Sequence, residues 1–147
     1  MIDADNGSFE ILLVEDDPGD AELVKIALRE GKIVCHVNHV RDGVEAMAFL
    51  RREGRHERAP RPDLVLLDLN MPKKSGREVL KEIKSDEAYR SIPVVVLTTS
   101  DFERDIEGSY QLGANSFITK PVDVDQFMNA IQSIEDYWFG IVRLPKP

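Results

Sequence analysis

The chain has 147 residues, enough for one domain with a substantial core, and is 42% hydrophobic and 31% charged, the balance of a globular protein. A net charge of -8 speaks against nucleic acid as a partner, because that affinity comes mostly from Lys and Arg on phosphates. No apolar run approaches the roughly 20 residues of a membrane span; the polar, acidic start MIDADNGSFE is neither a signal nor a transit peptide, and the single Cys35 fits a reducing cytoplasm without an internal disulfide.

FEILLV (9–14) is the first predicted strand. Asp17 then precedes Pro18, a residue suited to the first helical position, and opens a helix over 18–30. VCHVNHV (34–40) is the second strand; Asp42, with Glu45 three residues on, has the capping-box spacing and starts a helix over 43–53. LVLL (64–67) is the third strand, followed by Ser75 with Glu78 and a helix over 75–85. PVVVL (93–97) is the fourth, followed by Ser100 with Glu103 and a helix over 101–112. SFIT (116–119) is the fifth, and Asp123 with Gln126 opens a last helix over 123–139, where Phe127, Ile131, Ile134 and Trp138 share one face. The strand runs are compact and lack polar alternation, so both faces of the sheet should be covered. Strand then helix, repeated throughout, predicts an α/β, flavodoxin-like, doubly wound (βα)5 three-layer sandwich with a parallel five-stranded sheet of order 2-1-3-4-5. The expected division is a tail at 1–8, one domain at 9–139 and a C-terminal extension at 140–147. There is no internal repeat.

The connection RREGRHERAPRPD (51–63) carries Arg51, Arg52, Arg55, Arg58 and Arg61 in an otherwise acidic chain. A solvated loop and a dock for an acidic partner surface are both compatible with it.

In an open parallel sheet, ligands bind beyond the carboxyl ends of the strands, where the strand order reverses. Here that point lies between the first and third strands. The first ends in Glu15, Asp16 and Asp17, and the third ends in Asp68. Clustered carboxylates repel one another, so the crevice calls for a positive charge. A hard divalent cation takes oxygen ligands of this kind, and Lys120, at the end of the fifth strand, offers another charge. The fourth strand adds the hydroxyls of Thr98, Thr99 and Ser100. Acids, a metal, a hydroxyl and a lysine suit a phosphoryl group held on oxygen, and a carboxylate can itself be the nucleophile. Taken singly, each has a duller reading: Asp17 as a helix cap, Lys120 as a loop charge, Thr98 as strand packing. Asp68 does not, because an isolated buried carboxylate is costly.

ILLVEDDP, DLVLLDLNMPKKSG, PVVVLTTS and ANSFITKP together resemble, in order and spacing, the receiver domain of two-component response regulators. The resemblance runs from about residue 9 to 139. It implies that Asp68 is the phosphoacceptor of a histidine kinase and that Mg2+ is the cofactor. Asp16 and Asp68 would be direct metal ligands, with Glu15 acting through a water and Asn70 through its backbone carbonyl. Lys120 would contact the phosphoryl oxygens, and Pro121 would follow a cis peptide. Thr98 would be the hydroxyl that swings toward the phosphoryl group, with Phe117 as the switch aromatic. Glu15 stands where aspartate is commoner, which leaves metal binding intact. Phe117 lacks the hydroxyl of the tyrosine often found there, so a switch through that ring has rotation but no hydrogen bond.

After the last predicted helix only GIVRLPKP remains, so the expected output is contact with proteins rather than DNA. Tyr137, Phe139, Ile141, Val142 and Leu144 exceed what that helix's core face needs; they either fold back or form an interface. The basic loop and the YWFGIVRLP ending resemble the single-domain regulators paired with bacterial phytochromes. That resemblance implies a phytochrome-type kinase and a symmetric homodimer through the fourth helix, fifth strand, fifth helix and C-terminal tail. The only catalysis expected is of the chain's own Mg-dependent phosphorylation and dephosphorylation. Two rival readings fit the residues less well. An aspartyl-nucleophile phosphatase usually has a second aspartate two residues after the nucleophile, where this chain has Asn70, which cannot exchange a catalytic proton. A pseudo-receiver dimerisation module usually lacks the phosphoacceptor or the lysine, and both are present.

Overall fold

The computed structural model describes residues 8–31, 34–69, 71, 74–98, 116–119 and 124–135. Along the chain these form β1 (Ser8–Val14), α1 (Pro18–Arg29), β2 (Val34–Val40), α2 (Gly43–Arg51), a short 3-10 turn (Gly54–His56), β3 (Leu64–Asp68), α3 (Gly76–Ser85), β4 (Val94–Thr98), β5 (Ser116–Thr119) and α4 (Val124–Glu135). The helix predicted at 101–112, the Lys120–Pro121 peptide and everything after residue 135 lie outside the described residues. All strand pairings are parallel and the order is β2-β1-β3-β4-β5, as the strand–helix alternation predicts.

Successive residues of a strand point to opposite faces, and the apolar runs use this to build two cores. Leu12, Val14, Val65, Leu67, Val94 and Val96 pack against α2 and α3 through Met47, Leu50, Val79, Leu80 and Ile83. Ile11, Leu13, Leu64, Leu66, Val95 and Leu97 pack against α1 and α4 through Ala21, Val24, Ala27, Phe127 and Ile131. The missing polar alternation is thus accounted for: β1, β3 and β4 are covered on both sides.

The helix starts follow the capping pattern where they are described. Asp17 accepts from the backbone N–H of Gly19 and Asp20, and Asp42 accepts from that of Glu45. Ser75 and Glu78 form a reciprocal capping box. The connection predicted as loop over 51–63 differs in detail: α2 stops at Arg51, and Gly54–His56 makes a 3-10 turn. Lys84, near the end of α3, donates to the carbonyls of Arg90 and Ile92 at 3.1 and 2.7 Å, which ties α3 to the turn entering β4. Burial holds its ammonium below the usual lysine range.

Two glycines set how closely the helices approach the carboxyl end of β3. Each is the first residue of its helix, where glycine weakens the helix relative to alanine. A Cβ on Gly76 would stand 2.2 Å from the Asp68 carbonyl oxygen, and one on Gly43 would stand 2.4 Å from the Lys74 carbonyl oxygen. Gly19 is different, since its nearest obstacle is a side-chain oxygen of Asp17 at 3.2 Å. Gly76→Ala is therefore expected to destabilise the fold by about 1–3 kcal/mol through overpacking against backbone, while Gly19→Ala should change it by less than about 1 kcal/mol. Urea unfolding of the two variants checks this; equal stabilities would remove the close approach of α3 as a constraint.

Candidate functional site

The β1–β3 register places Val14 opposite Leu67, so the residues that follow, Glu15 and Asp68, leave the sheet side by side. Glu15 is fully buried and Asp68 is 5% exposed, while Asp16 is exposed. A carboxylate oxygen from each of Glu15, Asp16 and Asp68 lies within 4.8 Å of the other two. Three of the acids predicted to meet at the strand-order reversal therefore do lie together.

Local backbone contacts hold them. The Glu15 N–H donates to the Val40 carbonyl at 3.1 Å, extending the β1–β2 ladder by one residue. His39 Nε2 lies 2.8 Å from the Glu15 carbonyl oxygen. The Asp17 N–H donates to Glu15 Oε2 at 3.3 Å, while the Asp17 side chain turns away to cap α1. Asp17 is thus the helix cap and stands outside the acid cluster. On the other strand, the Gly76 N–H donates to the Leu69 carbonyl at 3.1 Å, which closes α3 over the residue after Asp68.

Like charges at about 4 Å repel by about 4 kcal/mol per pair at an effective dielectric constant of about 20. Three carboxylates so close, two of them buried, form a donor set of hard oxygens that a divalent cation satisfies well. The cluster can hold a metal ion.

Of the other residues singled out from the sequence, Thr98 ends β4 in register with Thr119 of β5, and Phe117 lies in β5 opposite Val96; their side chains, with Asn70 and Lys120 altogether, lie outside the described residues. Sequence reasoning passed over Gly76, Gly43 and His39. For the two glycines there was a signal, since each directly follows a helix-capping residue at a position where glycine costs helix stability. For His39 there was none, because its contact depends on how β2 lies beside β1.

The sequence model of the family described as Response regulator receiver domain matches residues 11–132. The chain is 47% identical over 145 residues to Response regulator Rcp1 of Synechocystis sp., covering 99% of either chain. Among crystal structures, that of the phosphorylated cyanobacterial phytochrome response regulator RcpA is similar with a TM-score of 0.91 at 50% identity, over 95% of this chain and 99% of that one. The Mn2+-bound form of Rcp1 is similar with a TM-score of 0.89 at 47% identity, over 94% of this chain and 99% of that one.

Removing one charge from the cluster should weaken metal binding without harming the fold if the exposed acid is chosen. Asp16→Asn is expected to lose roughly tenfold or more in Mn2+ affinity, by analogy with the effect of lesser changes around metal ligands. Calorimetric titration measures it, and an unchanged affinity would exclude Asp16 from the ligand set.

Proposed function

The chain belongs to the response regulator receiver domain family, and on that premise we propose that it is a stand-alone regulator which accepts a phosphoryl group on Asp68 from a sensor histidine kinase. The observation that carries this reading is the convergence of Glu15, Asp16 and Asp68 at the carboxyl ends of β1 and β3. A carboxylate oxygen of Asp68 forms a bond to phosphorus as the bond from phosphorus to the kinase's histidine nitrogen breaks. Asp16 and Asp68 would hold Mg2+ directly, Glu15 through a water and Asn70 through its backbone carbonyl. The cation supplies positive charge to the phosphoryl oxygens. Lys120 supplies a second, fixed charge to them. The pairing of Thr98 with Thr119 supports this assignment, because it sets the strand end bearing Thr98 beside the one that leads into Lys120. The Thr98 hydroxyl moves to the phosphoryl group, and the Phe117 ring turns into the space it leaves.

Residues 9–139 form the receiver domain in this reading, with a tail at 1–8 and an interface extension at 140–147. The kinase is of phytochrome type and the setting is the cytoplasm; the likeness to RcpA, described as a phytochrome response regulator, supports the first of these. A homodimer through the segment at 101–112, β5, α4 and the C-terminal tail would bury Tyr137, Phe139, Ile141, Val142 and Leu144. One self-complementary patch closes such an assembly with twofold symmetry.

Acetyl phosphate with Mg2+ should add one phosphoryl group to the native chain and none to Asp68→Asn, as read by intact mass. Lys120→Ala should impair phosphorylation and switching far more than Lys81→Ala at an exposed position of α3, since a charged hydrogen bond contributes about 1.5–3 kcal/mol and an exposed lysine almost nothing. Labelling of Asp68→Asn at the native level would overturn the assignment. Sedimentation tests the dimer: the full chain should sediment as a dimer at tens of micromolar and a chain ending at Asp136 more weakly so. A monomeric full chain, phosphorylated or not, would exclude it.

A further inference from the structure

The arginine-rich connection between α2 and β3 takes no part in the chemistry at Asp68. It meets the opposite end of β3, about 13 Å from Asp68 along the five-residue strand. There Arg51, Arg52 and Arg61 line one cavity of about 250 Å³ together with Leu50, Tyr89 and Ile92. Among the described residues no acidic one lines it.

Two of the three guanidiniums are fixed by neighbours. Arg61 donates to the Ala88 carbonyl at 2.6 Å and to Ser91 Oγ at 3.1 Å, so it is braced against the turn that precedes β4. Arg51 donates to Glu82 Oε1 on α3 at 3.2 Å. A guanidinium has five N–H donors, so both keep donors for a further acceptor. Arg52 differs. Its backbone N–H caps α2 by donating to the Ala48 and Phe49 carbonyls, in a left-handed conformation with φ 57°. Glycine adopts that conformation without hindrance, whereas a side chain resists it. The cap needs only the backbone, so the cap does not explain the guanidinium. Among the described residues Arg52 has no ion-pair partner.

Charge alone would be a solvated face, but here it is gathered into a concavity. Arg55, in the same connection, pairs with Glu45 and does not line the cavity; nor does Arg58. The volume lies just below the range of about 300–1,000 Å³ typical of small-molecule pockets, which favours a compact ligand over a peptide laid across a surface. Arginine forks match the planar and tetrahedral oxygens of carboxylate and phosphate. The half-buried Tyr89 and the buried Leu50 and Ile92 supply an apolar wall for something flat.

We propose that this cavity binds a small phosphate monoester of the mononucleotide class, with its phosphate on Arg51, Arg52 and Arg61 and its flat organic part against Tyr89. The site is separate from Asp68 and does not depend on phosphorylation there.

Adenosine 5′-monophosphate is the probe, titrated into the full chain at constant ionic strength and followed by amide NMR. Saturable shifts confined to residues 50–52, 61–62 and 89–92 are expected. Arg52→Gln, whose side chain braces nothing, should weaken the apparent affinity about tenfold or more, the effect of losing a charged hydrogen bond. Arg58→Gln and Asp68→Asn should bind as the native chain does, and inorganic phosphate should bind the same residues more weakly. Shifts that never saturate, shifts centred on Asp68, equal losses in Arg52→Gln and Arg58→Gln, or phosphate binding as tightly as the nucleotide would each overturn the proposal. So would a polyglutamate peptide that binds these residues more tightly than the nucleotide, since the surface would then be a protein dock.

Discussion

The parallel register of β1 against β3 is the constraint on which the rest depends. With Val14 opposite Leu67, the two strands carry Glu15 and Asp68 out of the sheet together. A slip of one residue would turn every side chain of one strand to the other face and separate the acids. What prevents the slip is burial on both sides. Leu12 and Leu67 face one core, Leu13 and Leu66 the other, and all four are fully enclosed. A slip would move these side chains into the opposite core, whose packing they do not fit, and mismatched packing costs about 1–3 kcal/mol per site. The same burial makes the acid cluster costly in the absence of a cation, since desolvating a charge costs several kcal/mol per ion. The core and the gathering of acids at the site are thus two consequences of one pairing.

Around that fixed pair, the helices are placed by how closely backbone can approach backbone. Gly76 lets α3 begin against the carbonyl of Asp68, and Gly43 lets α2 begin against the carbonyl of Lys74. Side-chain caps then satisfy the N–H groups that these starts would leave exposed. Leu69 and Lys74, at the two ends of the connection between Asp68 and α3, are thus each approached closely by the start of a helix.

The far end of the same helices is held by charge instead. Glu82, on α3, pairs with Lys74 near the site and with Arg51 at the end of α2. Lys84 and Arg61 hold the turn into β4 by donating to its carbonyls. α3 therefore starts against the Asp68 backbone at Gly76 and, near its other end, pairs Glu82 with Arg51 of the arginine cavity. The two regions differ in kind. One gathers carboxylate oxygens and the other gathers guanidiniums.

The amino-acid sequence by itself determined whatever rests on local periodicity. Five apolar runs, each followed by a capping residue and a helical pattern, specify the alternation of elements and therefore a parallel sheet. The acids at the tips of two runs were legible because strand ends in such a sheet converge. The family likeness was legible for the same reason, since its motifs are those strand ends. The tertiary structure decided everything that depends on distances between separate segments. It alone brought Glu15, Asp16 and Asp68 within 4.8 Å of one another, with Asp17 outside that cluster as the cap its place before Pro18 suggests. It turned the glycines at 43 and 76 from helix-weakening residues into points of close approach. It also divided the arginines of the basic connection into three that line a cavity and two that do not. A sequence orders residues along one chain, but which side chains meet across a sheet follows from register and packing, and no local pattern encodes those.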